Sequence, residues 1–403
     1  MRMAVHPFWL TIATAASLLS AACRPPAAPP RPNATAAGSS RPATPEREAE
    51  SSQGSSPMNI EKSSFGTTAD GTQVERFRCT NAHGLVMQVM TLGATVVSLE
   101  APDRNNKLEN VTLSFDTLDG YLERHPYFGS TVGRFCNRIA NARFTLDGQT
   151  CTLAANNGPH HLHGGQRGFD QAVWKAQPLR TDDAVGVEFR HTSPDGDEGY
   201  PGNLDVSAKY LLTNANEMKV ELTATTDRPT PVNLTNHCYW NLAGARSGKV
   251  LDHTLLVAAD QYVEVTDALI PTGQLRDVRE TPLDFTEPQP IGARLEQLTG
   301  DPGGYDHCYV LRSQDGSLAL AARAVDPASG RVLEVYTTQP GIQFYTGNFL
   351  SGGPTSGQFD RHDGFCLETQ HYPDSPNQPA FPSTILRPGE TYHQLTVHKL
   401  LVE

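Results

Sequence analysis

Apolar residues recur at every second position in several separate segments of this chain, and that period favours β-strands over helices. Residues 219–226 alternate in this way. Residues 143–153 alternate around Asp147-Gly148, a dipeptide typical of a two-residue hairpin turn. The pattern predicts an all-β protein, built as a large sandwich or a barrel.

Other segments extend this prediction along the chain. Strands are predicted over residues 318–325, 332–338 and 394–400. Residues 86–100 form a long apolar run that Gly93 interrupts, which indicates two strands or a bulge. The one modest helix candidate is residues 291–298. Because we find no repeat of fixed period and no second linker, we expect one large domain over residues 58–403.

The N-terminal residues predict export rather than a part of the fold. Arg2 precedes an apolar stretch over residues 8–22, which is too short to span a bilayer comfortably and ends in small residues before Cys23. This layout resembles a bacterial lipoprotein signal over residues 1–23, in which Cys23 would become the lipidated first residue of the mature protein. Ordinary cleavage into the periplasm is the alternative. Residues 24–57, rich in Pro, Ala and Ser, predict a disordered tether.

Charge and cysteine content limit the classes of partner. The formal net charge is −12 and we find no cluster of Lys and Arg, so no nucleic-acid partner is expected. The expected partner is a neutral small molecule or a protein. The cysteines other than Cys23 are scattered without C-x-x-C spacing, and we expect most of them to be buried as small apolar side chains.

Four segments combine polar, ionisable and aromatic residues with strand-like sequence. They are residues 133–141, residues 156–165, residues 233–242, and residues 341–348 together with 366–371. If the third segment is a strand, Thr235, His237 and Tyr239 share one face. A histidine in such surroundings can have a pKa near neutrality, which suits proton donation. A buried structural histidine is the alternative.

Carboxylates and further histidines add to these candidates. Glu368 follows an apolar approach, where burial would raise its pKa and suit it as a base, although a strand-end residue facing water is the alternative. A glycosidase would need two acting carboxylates, and Asp306 is the second candidate. The cluster at His160, His161 and His163 invites a zinc site, but it contains no Cys or carboxylate, and binding of a polyhydroxylated ligand fits equally well. We find no G-x-S-x-G, P-loop or G-x-G-x-x-G motif.

Residues 60–403 resemble the aldose 1-epimerase family, also called galactose mutarotases. The most specific match is residues 233–242, which are similar to the family's sequence around its catalytic histidine. Supporting matches follow in the family's order, over residues 133–140, 158–165, 193–202, 339–350 and 367–370. The resemblance implies a β-supersandwich fold. It also implies reversible interconversion of the α and β anomers of free aldohexoses such as galactose and glucose, without metal or cofactor.

The same resemblance implies roles for single residues. His237 would be the general acid and Glu368 the general base. Positions that bind sugar hydroxyls or assist at the reacting centre fall on Asn137, Arg138, His163, Asp306 and Gln343. Two alternatives are a non-catalytic carbohydrate-binding module and a hexose-phosphate epimerase. The module would not need both His237 and Glu368. The epimerase should have extra Arg or Lys for a dianion, and Arg134 and Arg138 are available, but an exported enzyme is expected to meet free sugars. We expect a monomer or a dimer.

Overall fold

The computed structural model describes residues 57–123, 125–300 and 303–403, which belong to one compact unit. The predicted signal and nearly all of the predicted tether lie outside these residues. Within them, no helix has the length and apolar character needed to cross a membrane.

The described part of the chain is built mainly from strands, as the period of two predicts. The first half contains β1 (Asn59–Thr67), β2 (Gln73–Thr80), β3 (Val86–Met90), β4 (Thr95–Pro102), β5 (Leu108–Asn110), β6 (Thr131–Val132), β7 (Arg138–Ile139), β8 (Arg143–Leu146), β9 (Gln149–Thr152), β10 (His161–Leu162), β11 (Lys175–Arg180), β12 (Ala184–Ser193), β13 (Leu204–Thr213) and β14 (Glu217–Thr226). The second half contains β15 (Thr230–Pro231), β16 (Thr235–Asn236), β17 (Tyr239–Trp240), β18 (Thr254–Val257), β19 (Ala259–Val265), β20 (Pro271–Asp277), β21 (Gln289–Pro290), β22 (Asp306–Leu311), β23 (Ala319–Val325), β24 (Arg331–Thr337), β25 (Gly341–Tyr345), β26 (Phe365–Gln370), β27 (Ile385–Leu386) and β28 (Tyr392–Val402).

Helical structure in the same residues is limited to single turns and short 3-10 segments. One α-helical turn, α1, spans Asp119–Leu122. The 3-10 helices are Ala140–Ala142, Phe169–Gln171, Asp197–Gly199, Ile291–Gln297, Pro354–Ser356 and Ser375–Asn377. The helix candidate at residues 291–298 therefore forms a 3-10 helix, a geometry typical of short connecting pieces.

The strands form three large antiparallel sheets. Their orders are β1-β2-β3-β4-β5, then β11-β12-β13-β14-β28-β24-β23-β18-β21, and finally β17-β26-β25-β22-β19-β20. One continuous apolar core joins all three, with Val220 from the nine-stranded sheet, Phe344 from the six-stranded sheet and Phe77 from the five-stranded sheet among its members. Face-to-face sheets sharing such a core make a sandwich, which confirms the predicted fold class.

Turn chemistry explains the strand boundaries that the sequence indicated. Asp147 and Gly148 have φ angles of 49° and 81°, as a type I′ turn requires, and they join β8 to β9. Gly93, with φ of 67°, separates β3 from β4, so the run over residues 86–100 is two strands. A Cβ at Gly93 would lie 2.7 Å from the carbonyl oxygen of Asp170.

Strands β25 and β26 differ from the other long strands because they are buried on both faces. Strand β14 alternates between buried and half-buried residues, because its outer face meets solvent. Strands β25 and β26 are buried at every position. One face of each lies against the core, through residues such as Ile342 and Leu367. The opposite face must therefore be covered by other parts of the chain, and that face carries polar side chains.

Arg134 is buried and braces the loop over residues 193–202. Its Nη1 donates hydrogen bonds to the carbonyl oxygens of Pro201 and Gly202 at 2.9 and 3.0 Å. Its Nη2 donates to the carbonyl and hydroxyl oxygens of Ser193 at 3.1 and 2.6 Å. Burial lowers the pKa of this guanidinium to about 10. Arg134 is therefore a structural residue.

Replacement of Arg134 by Met should lower the free energy of unfolding by about 3 kcal/mol, because several buried carbonyl groups lose their donor. Urea unfolding of purified protein measures this change. Arg190→Met is the matched control, since that side chain is 67% exposed and pairs with Glu188 at 3.0 Å. The control should lose less than about 1 kcal/mol. Equal losses in the two variants would contradict the structural role of Arg134.

Candidate active site

The register of three strands assembles a polar surface on the covered side of the six-stranded sheet. Residues directly opposite one another in antiparallel strands point to the same face. Cys308 on β22 lies opposite Gln343 on β25, which lies opposite Glu368 on β26. Two residues along the strands, and therefore on the same face, Asp306 lies opposite Tyr345. The pairing thus brings together Asp306, Gln343 and Glu368, three residues that the family resemblance assigns to one site.

His237 reaches this surface from a break between two short strands. The segment over residues 233–242 is not one continuous strand, since β16 ends at Asn236 and β17 begins at Tyr239. The backbone of His237 is fixed on both sides, because its N–H donates to the Ser130 carbonyl at 2.9 Å and its carbonyl accepts from Gly129 at 3.0 Å. The break turns the imidazole toward β26.

His237 and Glu368 form a buried pair at the centre of the site. The His237 Nε2 lies 3.5 Å from Glu368 Oε2, and the two side chains are 4% and 3% exposed. Burial raises the pKa of the Glu368 carboxyl well above its ordinary value, with Asp306 adding to the rise and Arg138 opposing it. Burial lowers the pKa of His237 to about 3.

These directions correct the expectation of a near-neutral pKa for His237. Burial penalises the charged form of each group alone, whereas the short distance between them favours opposite charges. The pair therefore holds one proton most readily, either on Glu368 or on His237. A single proton shared by two groups at 3.5 Å is suited to moving between them through a bound hydroxyl group.

His163 is held in a defined tautomer beside this pair. Its ring Nδ1 accepts a hydrogen bond from the backbone N–H of Asn137 at 3.1 Å, and the backbone N–H of His163 donates to the Asn137 carbonyl at 3.1 Å. Burial, with added repulsion from His237 and Arg138, lowers the pKa of His163 well below its ordinary value. The neutral ring therefore carries its proton on Nε2 and can donate it to a ligand.

Arg138, Asp306 and Gln343 form a connected group on the other side of the pair. Gln343 Nε2 donates to Asp306 Oδ1 at 2.6 Å, and Arg138 Nη2 lies 3.8 Å from Asp306 Oδ2. Arg138 Nε also donates to Asn157 Oδ1 at 3.3 Å. Arg138 and Asp306 thus compensate each other's charge, and they present polar atoms to a ligand without a large net charge.

A cavity of about 370 Å³ opens over these side chains, a size within the usual range for small-molecule sites. Six of the predicted site residues line the cavity. The seventh, Gln343, does not line it but donates a hydrogen bond to Asp306, which does. The full lining consists of His125, Pro126, Tyr127, Asn137, Arg138, Asn157, Leu162, His163, His237, Tyr239, Asp306, Tyr345, Phe349, Ser351, Thr355, Ser356 and Glu368.

Several of these lining residues were not predicted as site residues. Residues 125–127 and 349–353 lie in loops and residues 354–356 form a short 3-10 helix, and since none of them has a hydrophobic period, no pattern marks them. The stacking of Tyr239 on His237, with ring centroids 5.1 Å apart, depends on the break between β16 and β17. Two signals could have indicated these aromatic residues: Tyr239 lies within the third polar segment, two residues after His237, and Phe349 directly follows residues 341–348.

Other polar residues of the four segments serve the fold instead. Asn233 exchanges hydrogen bonds with the backbone of His371, and Asn236 Nδ2 donates to the Gly129 carbonyl at 2.8 Å. His161 is held between the Ala154 carbonyl and the Tyr200 hydroxyl, both at 2.7 Å. The asparagines around His237 therefore brace the backbone rather than contact a ligand.

By distance alone, His163, His237 and Glu368 could hold a metal ion, since one potential ligand atom of each lies within 4.8 Å of the others. The hydrogen bonding of His163 opposes this. Its Nδ1 lone pair already accepts the Asn137 N–H, and its Nε2 consequently carries a proton. A metal ligand needs a free lone pair, so this arrangement fits a hydroxyl ligand better.

Comparison with known proteins gives a consistent result. Residues 75–399 match the family model described as aldose 1-epimerase. The chain belongs to the aldose 1-epimerase family. It is 44% identical to the galactose mutarotase of Bos taurus over 86% of this chain and 99% of that protein. It is 38% identical to the aldose 1-epimerase of Escherichia coli K12 over 83% of this chain and 97% of that protein.

A solved structure supports the same membership. Galactose 1-epimerase from Lactobacillus acidophilus superposes with a TM-score of 0.76 at 26% identity, covering 86% of this chain and 99% of that chain. The β-supersandwich implied by the resemblance is therefore confirmed.

Replacement of Glu368 by Gln should stabilise the protein at neutral and alkaline pH. Because the folded-state pKa is raised, the folded protein binds this proton more tightly than the unfolded chain, whose pKa is about 4.3. The stability from this group is present below the unfolded pKa and is lost as pH rises through the folded pKa. The variant should melt about 2 °C or more above wild type at pH 8, with the difference shrinking toward pH 4.

Thermal melts across this pH range provide the test. Glu221→Gln is the control, because hydrogen bonds and ion pairing with Lys209 and His393 outweigh partial burial there and lower the pKa. The control should show no stabilisation at pH 8. A Glu368→Gln variant that melts below wild type at pH 8 would argue against a raised pKa for the Glu368 carboxyl in the folded protein.

Proposed function

We propose that this protein interconverts the α and β anomers of free aldohexoses by acid–base opening and reclosure of the sugar ring. The observation that carries the proposal is the buried pair of His237 Nε2 and Glu368 Oε2, 3.5 Å apart, in a cavity lined by hydroxyl-binding side chains. Family membership supports the same activity. The galactose mutarotases among its relatives favour galactose as one substrate.

The chemistry requires two proton transfers that balance each other. Glu368 as carboxylate removes the proton from the C1 hydroxyl, and His237 as imidazolium donates its Nε2 proton to the ring oxygen. The C1–ring oxygen bond breaks and C1 becomes an aldehyde. Rotation about the C1–C2 bond and reclosure, with both transfers reversed, give the other anomer. The pair holds one proton before and after opening. The oxidation level of C1 is the same in the hemiacetal and the open-chain aldehyde, so no redox cofactor is needed.

The surrounding side chains fit the binding of a neutral polyol. His163 offers an Nε2–H donor, whereas Asp306 offers acceptor oxygens beside the Arg138 guanidinium. Tyr239 stacks on the His237 ring and holds its plane. Such fixed donors and acceptors orient the sugar so that the C1 hydroxyl and the ring oxygen face the pair.

The alternatives explain less of the site. A binding module has no use for a carboxyl whose pKa is raised beside an imidazole whose pKa is lowered. Among the described lining residues the one Arg or Lys is Arg138, which pairs with Asp306, and Arg134 is occupied by backbone carbonyls, so a phosphate dianion would lack partners. As a second glycosidase carboxylate, Asp306 would have to leave Gln343 and Arg138.

Replacement of either paired residue should slow mutarotation by at least about 10²-fold, because each positioned acid or base contributes at least that factor. The variants are His237→Asn and Glu368→Gln. Polarimetry of freshly dissolved α-D-galactose and α-D-glucose measures the rate and also ranks the two sugars.

A second His–Glu pair in the same protein supplies the control. His393 Nε2 lies 3.1 Å from Glu221 Oε1 on the surface. His393→Asn and Glu221→Gln should keep wild-type rates. Near wild-type turnover in a folded His237→Asn or Glu368→Gln variant would remove that residue from the mechanism, and a wild-type protein that accelerates neither sugar would favour the binding module.

Exhaustive chelation should leave the rate of mutarotation unchanged, because the tautomer of His163 opposes metal binding at the pair. The measurement is polarimetry after dialysis against EDTA, with added zinc as the second arm. Zinc should not accelerate the reaction. Loss of activity on chelation, restored by a divalent cation, would contradict a metal-independent mechanism.

We also propose that the chain is exported and anchored to a membrane through a lipid on Cys23, with residues 24–57 as the tether. Support comes from the positive start, the short apolar stretch and the small residues before Cys23. These residues lie outside the described part of the chain. A periplasmic or outer-membrane location would give the site access to free sugars entering the cell.

Processing in a bacterial host tests this proposal. Globomycin, which blocks lipoprotein signal cleavage, should cause a larger precursor to accumulate, and Cys23→Ser should abolish labelling by radioactive palmitate. A mature protein that forms normally in the presence of globomycin and carries no label would indicate ordinary signal cleavage instead.

A further inference from the structure

One strand contacts both ring nitrogens of His237. The alternation of side chains along β26 places Cys366 and Glu368 on the same face. Glu368 Oε2 lies 3.5 Å from Nε2, and Cys366 Sγ lies 3.5 Å from Nδ1 on the opposite side of the ring. Cys366 is fully buried. The imidazole is thus aligned between a carboxyl group and a thiol that share one rigid backbone segment.

The remaining neighbours of the ring contact its faces and edge. Tyr239 and Tyr127 stack against it, with ring centroids at 5.1 and 5.9 Å. The His163 ring lies at 5.2 Å in an edge arrangement. These contacts restrict the plane of the imidazole but do not select its tautomer. The tautomer is set by the contacts at the two ring nitrogens, where the structure places Glu368 Oε2 at Nε2 and the Cys366 sulfur at Nδ1.

The chemistry of this sulfur suits a weak acceptor. Burial raises the pKa of the Cys366 thiol well above its ordinary value, and the neighbouring Glu368 adds to the rise, so the group stays a neutral thiol. A neutral thiol can donate or accept a weak hydrogen bond. Because the Glu368 carboxyl, whose pKa is raised, faces Nε2 and can donate a proton there, the ring proton is expected on Nδ1 and the sulfur accepts it. A carboxylate at this position would stabilise the imidazolium and weaken it as an acid. A thiol orients the ring while leaving the imidazolium strongly acidic, which helps to protonate a weakly basic ring oxygen.

We propose that Cys366 is a positioning residue for His237, whose sulfur accepts the Nδ1–H and thereby makes Nε2 the nitrogen that gains and loses the catalytic proton. The inference rests on the proposed function, because it assigns Cys366 a part in the same proton transfer. Cys366 itself contacts neither the sugar nor the transferred proton in this account.

Three variants of the full chain test the role by kinetics. Cys366→Ala should lower kcat for mutarotation by about tenfold with KM unchanged, the size expected from losing one orienting hydrogen bond. Cys366→Ser keeps an acceptor and should recover part of the loss. Cys79→Ala is the matched control, since Cys79 is an equally buried thiol on β2 and should keep the wild-type kcat.

The tautomer of His237 provides a readout that a merely structural role would not move. Histidine labelled with ¹⁵N reports which nitrogen carries the proton, and the His237 signal is assigned by its loss in His237→Asn. Neutral His237 should carry its proton on Nδ1 in the wild-type protein and partly on Nε2 in Cys366→Ala. This measurement needs no sugar, so it tests Cys366 even if mutarotation fails.

Two results would overturn the proposal. One is the finding that neutral His237 in the wild-type protein carries its proton on Nε2. This result would contradict the proposal even if the variants do not fold. The other is a Cys366→Ala protein that matches Cys79→Ala in both kcat and tautomer.

Discussion

Burial of one carboxyl and one imidazole against the same strand is the constraint on which the site depends. Strand β26 has no solvent-facing side, because one face packs into the core and the other forms the floor of the cavity. Glu368 therefore pays a desolvation penalty that raises its pKa, and the penalty on His237 lowers its pKa. Each group is driven toward neutrality, and a single proton remains for the two.

The fold holds the buried Glu368 and His237 in place through hydrogen bonds between strands and loops, rather than through further charged side chains around them. Antiparallel register fixes Glu368 opposite Gln343, and Gln343 in turn holds Asp306. His237 is held through its own backbone by Ser130 and Gly129. Catalytic groups on a backbone fixed by hydrogen bonds need little reorganisation when the substrate binds. Burial of these groups lowers stability, but it leaves them preorganised for the reaction.

How well the sequence predicts a strand depends on whether one of its faces meets solvent or both faces are buried. Strand β14 shows alternation because its outer face meets solvent, and the Asp147-Gly148 turn needs positive φ angles that these residues tolerate. Strands β25 and β26 are buried on both faces, so their sequence carries no period that marks the site. The roles expected for His237 and Glu368 came from family resemblance. Their contact depends on long-range pairing that no local pattern reports, and the loop residues Tyr127 and Phe349 were missed for the same reason.

The central claim is that one proton moves between Glu368 and His237 through the oxygen atoms of the sugar, so that only the ring opens. Two-dimensional NMR exchange spectroscopy of galactose at anomeric equilibrium in D₂O tests it most directly. Catalytic amounts of the protein should produce exchange peaks between the α and β C1 protons, with no deuterium entering at C1 or C2. Deuterium at C2 would show that a carbon-bound proton is removed, and the absence of exchange peaks would show that the pair does not open the ring.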